Sequence, residues 1–169
     1  SDFRIKQYTQ LTTYPQHRYE WGEFHRKFPL YSFVPGLYIP YSLYEEIQKP
    51  QFYKTFYVVR DPRNIVVSWY YSMLETHSLI GKVGKQRQTL KELNFDEGIK
   101  YCIQALQLKF SFIRDWIQNK DDPNILIIKF EDLVKKPNIK FKEIFDHCKL
   151  SIPDEVINSV LDDYSKSKM

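Results

Sequence analysis

The chain has 169 residues, 43% of them hydrophobic and 17% aromatic, enough for one globular domain with a real core and too few for two comfortable ones. A formal charge of +4 suits an anionic ligand, and without a long continuous basic stretch it does not call for nucleic acid as a partner. No apolar run approaches the roughly 18 residues of a membrane span, and Cys102 and Cys148 sit in helical patterns without metal or redox spacing, as buried free thiols of a reducing, cytoplasmic compartment do.

In chain order, residues 1–29 are polar and aromatic, broken at Tyr14-Pro15 and Phe28-Pro29, with a short helix expected over about 18–27. Residues 30–39 look extended, and Pro35-Gly36 makes them an edge or bulged strand. Ser42 followed by Glu45 is a capping-box signature that opens a short helix to about residue 48. The β-branched run at 54–60 reads as a buried strand. It feeds a helix from 62 to about 76, in which Ile65, Val66, Trp69, Tyr70, Met73 and Leu74 recur at helical spacing. Residues 77–93, with Lys82, Gly84, Lys85, Arg87 and Lys91, read as a basic, glycine-containing loop.

A long helix follows over about 95–119, with Ile99, Ile103, Leu106, Phe110, Ile113 and Trp116 or Ile117 on its apolar face. Asp121, Asp122 and Pro123 turn the chain into a strand at 124–130. A helix over about 138–147 turns Phe141, Ile144 and Phe145 inward, and a last one from Pro153 carries Val156, Ile157, Val160 and Leu161. Strands separated by long helices imply βαβ connections and a parallel sheet, so the expected class is α/β, in one domain over residues 1–169.

The residues that carry chemistry are concentrated at 54–69. Arg60 ends the apolar strand, Asp61 is a favoured N-cap, and Pro62 at the first helical position loses no hydrogen bond. Arg60 therefore lies at the carboxyl end of a strand, where open α/β sheets bind ligands. A guanidinium fork beside a helix N-terminus suits a phosphate or sulfate. Ser68 lies about two turns into the same helix, where a serine hydroxyl commonly bonds the carbonyl four residues back, here that of Asn64.

This stretch resembles the 3′-phosphate-binding motif of sulfotransferases that use 3′-phosphoadenosine 5′-phosphosulfate (PAPS): an Arg closing a strand, then a Ser eight residues on. Trp69, Tyr70 and Tyr71 continue the likeness. Downstream, the strand 124–130 running into Phe130-Glu131-Asp132-Leu133 is similar to the family's Tyr/Phe-Glu-Asp-Leu, and Trp116 precedes it as a helix Trp does in relatives. The resemblance covers about residues 30–169. It implies a three-layer αβα fold with a central parallel sheet, of the P-loop type. It also implies Arg60 and Ser68 as the grip on the 3′-phosphate of PAPS, with Glu131 and Asp132 mostly structural. The reaction implied moves a sulfuryl group in line to a hydroxyl or amine of a small-molecule, glycan or lipid acceptor, with no metal.

The sequence departs from the family in three places. None of its five glycines sits in a strand–loop–helix with a following Lys-Ser/Thr, so the loop that cradles the 5′-phosphosulfate is missing; Gly81-Lys82-Val83-Gly84-Lys85 has no strand before it and reads as a surface loop. The C-terminal Arg-Lys-Gly segment is also unmatched, and the expectation is the middle portion of a longer enzyme. Tyr38 stands where many relatives carry a catalytic His, which leaves the base unassigned. His77, just past the helix of Ser68, can face the cleft, but its place at a helix C-terminus already explains a His there; His17, His25 and His147 read as surface or helix-end residues. The rival readings are an inactive nucleotide-binding homologue and a kinase-like phosphotransferase, which needs Mg²⁺ and a Walker-type lysine.

Overall fold

A computed structural model of the chain describes residues 6–7, 32–33, 39–79 and 81–166. They form β1 (Lys6–Gln7), β2 (Ser32–Phe33), α1 (Tyr41–Glu46), β3 (Thr55–Val59), α2 (Pro62–Glu75), α3 (Val83–Glu92), α4 (Phe95–Gln118), β4 (Ile125–Lys129), α5 (Phe130–Lys135), α6 (Pro137–His147) and α7 (Asp154–Lys166). The chain is α/β, as its alternation of strands and helices implied. β3 and β4 pair in parallel from Thr55 opposite Ile125 to Val59 opposite Lys129, and β1 pairs in parallel with β2. The connection between β3 and β4 runs through α2, α3 and α4, the kind of long crossover that parallel strands require. The helix expected over 18–27, Tyr38 and all of the 30–39 stretch except Ser32, Phe33 and Ile39 lie outside the described residues.

Two apolar clusters hold these elements together. Beside the sheet, Ile39, Tyr41, Tyr44, Ile47 and Ile125 surround Trp116, with Tyr57 against them. The Trp116 ring stacks on Tyr57 at 4.6 Å and 5° between planes, and its Nε1 donates to the Ile39 carbonyl at 2.8 Å. The ring is thus buried without leaving its one donor unpaired, which would cost about 1–3 kcal/mol. Among the helices, Val66, Tyr70 and Met73 of α2, Leu90 of α3 and Cys102 and Leu106 of α4 form the second cluster. α4 meets α2 through a small residue: a Cβ built on Gly98 would lie 2.6 Å from Cε2 of the buried Tyr70.

Several expectations are corrected. The helix expected to open at Ser42 begins at Tyr41, with Pro40 at the N-cap and no side-chain cap; Ser42 instead donates its backbone N–H to Asp115 Oδ2 at 3.1 Å. Burial of Tyr41 and Tyr44 against Trp116 sets this helix start. The basic stretch at 77–93 is not a loop throughout, since ten of its residues form α3. Its apolar anchors are few, and Leu90 alone is fully buried. Arg87 fastens α3 to the end of α2, donating from Nε to the Met73 carbonyl (2.7 Å) and from Nη2 to the His77 carbonyl (2.6 Å).

On α4 the buried face runs through Gly98, Cys102 and Leu106, whereas Ile103 and Ile117 are each 43% exposed. Gly98 lets the helix approach the Tyr70 ring, while Leu106 and Trp116 are buried further along it and Ile99 and Phe110 pack against the helical cluster. In α7, Ile157 is buried but Val156 and Val160 face out.

Candidate functional site

The site is built where β3 passes into α2. Asp61 has extended backbone geometry (φ −52°, ψ 124°), and its Oδ1 accepts the Arg63 backbone N–H at 2.9 Å, the N-cap expected from Asp-Pro. The Arg63 guanidinium also clasps this carboxylate, with Nη2 donating to Oδ2 at 2.6 Å. The Arg63 side-chain hydrogen bonds, then its backbone N–H, lower the Asp61 pKa to about 2. From the far side, Glu131 at the start of α5 accepts with Oε1 from the Asp61 backbone N–H and from Asn64 Nδ2, both at 3.3 Å. The backbone N–H bond at its own position, followed by these contacts, holds the Glu131 carboxyl below its usual range. Two segments 70 residues apart are thereby locked at the carboxyl ends of the paired strands.

Phe130 precedes Glu131, and the Arg60 guanidinium lies over its ring at 4.9 Å. Such a contact orients a guanidinium and contributes about 0.5–1 kcal/mol where partly exposed. Arg60 Nε is buried with no hydrogen-bond partner among the described residues. Because buried donors are nearly always paired, an orphan here is an open position for an acceptor. Arg60, Ile65, Ser68, Trp69, Ser72 and His77 line one shallow, solvent-open depression. Arg60 and Ser68, singled out in the sequence, therefore share one surface. The Ser68 hydroxyl makes no bond to the Asn64 carbonyl or to any other group among the described residues.

Other candidates fall elsewhere. Trp116 belongs to the core. Asp132 accepts the Lys136 N–H through its carbonyl, the bond that closes the C-terminus of α5. His147 is more than a helix-end residue, because its Nε2 donates to the carbonyls of Thr55 (3.1 Å) and Asn124 (3.2 Å) and so joins the amino ends of β3 and β4. His17, His25 and Tyr38 lie outside the described residues. Ser72, which no motif marks, is legible only as the residue one helical turn beyond Ser68 on the same face. Among the described residues no cluster of three or more His, Cys, Asp or Glu could hold a metal ion, and no helix is long and apolar enough to cross a membrane.

Residues 38–169 match the family model described as the sulfotransferase domain, more than half of the chain. The chain belongs to the sulfotransferase family. Sulfotransferase 1A1 of Rattus norvegicus is 23% identical over 134 residues, covering 78% of this chain and 43% of the relative. The 3-beta-hydroxysteroid sulfotransferase of Cavia porcellus is 25% identical over 111 residues (64% of this chain, 35% of the relative). Sulfotransferase 1 family member D1 of Mus musculus is 25% identical over 108 residues (64% and 34%). This sulfotransferase-family chain thus spans less than half the length of these relatives. No solved structure matches it.

Proposed function

We propose that this chain is a sulfotransferase domain that grips the 3′-phosphate of PAPS with Arg60 and Ser68, in a protein that transfers the sulfuryl group to an acceptor hydroxyl or amine. The observation that carries the reading is the buried, unpartnered Arg60 Nε in the depression that Ser68 also lines. An unpaired guanidinium N–H and a free hydroxyl are donors, and a phosphate supplies acceptors to both. PAPS supplies the activated sulfuryl group when bound. The part of Arg60 and Ser68 is to fix the nucleotide by its 3′ end, so that the far end is held in position for in-line transfer. Asp61, Glu131 and Phe130 hold Arg60 in place and touch no ligand in this reading.

The relative named for a hydroxysteroid supports a small-molecule hydroxyl as the acceptor. Free thiols at Cys102 and Cys148 fit a reducing compartment such as the cytoplasm.

Calorimetry with 3′-phosphoadenosine 5′-phosphate and with AMP tests the grip. A charge-assisted contact contributes about 1.5–3 kcal/mol, so the bisphosphate is expected to bind at least about tenfold tighter. Equal affinity removes the reading. The full-length protein is expected to move labelled sulfate from PAPS to a hydroxyl acceptor in the presence of EDTA. A requirement for Mg²⁺ and ATP favours the phosphotransferase instead.

A further inference from the structure

β3 and β4 pair in register up to Val59 opposite Lys129. One step further Arg60 meets Phe130, the first residue of α5, with the guanidinium 4.9 Å from the centre of the ring. A register slip of one residue would bring Lys129 or Glu131 to this place. The lysine would repel Arg60, and the glutamate would pair with it and cancel its charge. The ring does neither. It attracts the cation through its negative face and leaves the guanidinium N–H groups unspent.

Both carboxylates next to this contact are engaged elsewhere. Asp61 is held by the Arg63 side chain and backbone N–H, and Glu131 takes the Asp61 N–H and Asn64 Nδ2. Arg60 itself has no ion pair or hydrogen bond among the described residues. Arg60 lines the depression and Phe130 does not. The ring therefore acts on a bound anion through the guanidinium that rests on it.

We propose that Phe130 is a positioning residue for the anion grip: its ring seats Arg60 in one orientation without neutralising it, so the guanidinium meets the 3′-phosphate already ordered and fully charged. A mobile arginine loses rotamer freedom on binding, whereas a seated one has lost it beforehand. The proposal rests on the 3′-phosphate reading above. It goes beyond that reading by assigning part of the selectivity for the bisphosphate to a side chain that the nucleotide does not touch.

The test titrates the protein and three replacements at position 130 with 3′-phosphoadenosine 5′-phosphate and with AMP. Phe130→Leu removes the ring, Phe130→Tyr keeps it, and a ring-fluorinated phenylalanine keeps its shape while weakening its negative face. Phe130→Leu is expected to lose about three- to fivefold in bisphosphate affinity, the size of a partly exposed cation–π contact, with AMP affinity unchanged. The fluorinated ring is expected to lose less in the same direction, and Phe130→Tyr to bind at least as well as the wild type. In an Arg60→Gln background Phe130→Leu is expected to cost no further affinity, a coupling that a merely structural role would not produce.

Wild-type bisphosphate affinity in both Phe130→Leu and the fluorinated protein, with Arg60→Gln still weakened, overturns the seat and leaves the Arg60–Ser68 grip intact. An equal loss for both nucleotides, or the same loss with and without Arg60, also overturns it. Equal wild-type affinity for the two nucleotides removes the 3′-phosphate reading, and the seat with it. If Phe130→Leu fails to fold, the fluorinated ring decides alone.

Discussion

The two ends of the β3–β4 pair are built on opposite terms. At the amino ends the polar side chains are paired with the protein itself. Lys54 Nζ donates to the Pro123 carbonyl (2.8 Å), and the Thr55 N–H to the Asn124 carbonyl (2.8 Å). His147 bridges the same two strands, and the Tyr44 hydroxyl meets Thr55 Oγ1 at 2.7 Å. At the carboxyl ends the backbone is clamped as firmly, through Asp61 and Glu131, yet Arg60 Nε and the Ser68 and His77 side chains face a depression with unspent hydrogen-bonding capacity. One end of the sheet has used its polar groups for cohesion. The other keeps its backbone rigid and its side chains in reserve. A fold that must both stand and bind separates these tasks along the strand axis.

If that division holds, substitutions at the amino end change stability without affinity, and those at the carboxyl end do the reverse. The largest effect is expected at Trp116, which is 1% exposed and holds the amino-end cluster together. Trp116→Ala is expected to cost about 3–5 kcal/mol in denaturant unfolding. His147→Ala removes the bridge between the strand starts and its donor to the Thr55 carbonyl, while the Asn124 carbonyl keeps the Thr55 N–H. It is expected to lower stability by about 1–2 kcal/mol, with nucleotide affinity unchanged.

Arg60→Lys keeps the charge but loses the planar fork. It is expected to weaken 3′-phosphoadenosine 5′-phosphate binding about tenfold while the ligand-free melting temperature stays put. Ser68→Ala is expected to do the same more mildly, about fivefold, since a neutral hydroxyl contributes about 1 kcal/mol. A sharp fall in melting temperature for Arg60→Lys, with affinity intact, would collapse the contrast between the two ends.

Acid sharpens the comparison at the smallest scale. The folded pKa of Asp61 is depressed to about 2 and that of Glu131 is lowered too. Their contribution is therefore complete above the unfolded carboxylate pKa of about 4 and is lost as pH falls from there toward 2. Hydrogen exchange at the Arg63 amide is expected to report this release in acid before amides at the amino ends of β3 and β4 respond.

The strand–Asp-Pro–helix passage was legible because each residue has a local reason: an apolar β-branched run, a side-chain acceptor at the N-cap, and a proline where no N–H is needed. That punctuation brought Arg60 and Ser68 forward, with the resemblance supplying their partnership. What lay 70 residues away was not legible. No spacing rule says that Glu131 takes the Asp61 amide, or that Phe130 lies beneath Arg60. α3 escaped notice because a helix buried through one leucine and fastened by an arginine to two carbonyls carries almost no periodic apolar signal. On α4 the periodic apolar positions located the buried side, through Leu106 and Trp116 with Ile99 and Phe110 packed against the core, but not its closest contact: Gly98 carries no weight in a periodicity count, yet its small size lets α4 approach the Tyr70 ring.

The placement of the tryptophans has an optical consequence. Of the three in the sequence, Trp69 forms part of the wall of the depression, while Trp116 is enclosed and stacked on a tyrosine; Trp21 lies outside the described residues. On the proposed reading, an anion or adenine ring arriving beside Arg60 is expected to perturb the emission of Trp69 and to leave that of Trp116 unchanged until the core itself opens. Replacing Trp69 with Phe is expected to silence the first signal and keep the second. Of the tryptophans among the described residues, one would then report occupancy and the other unfolding, without any label.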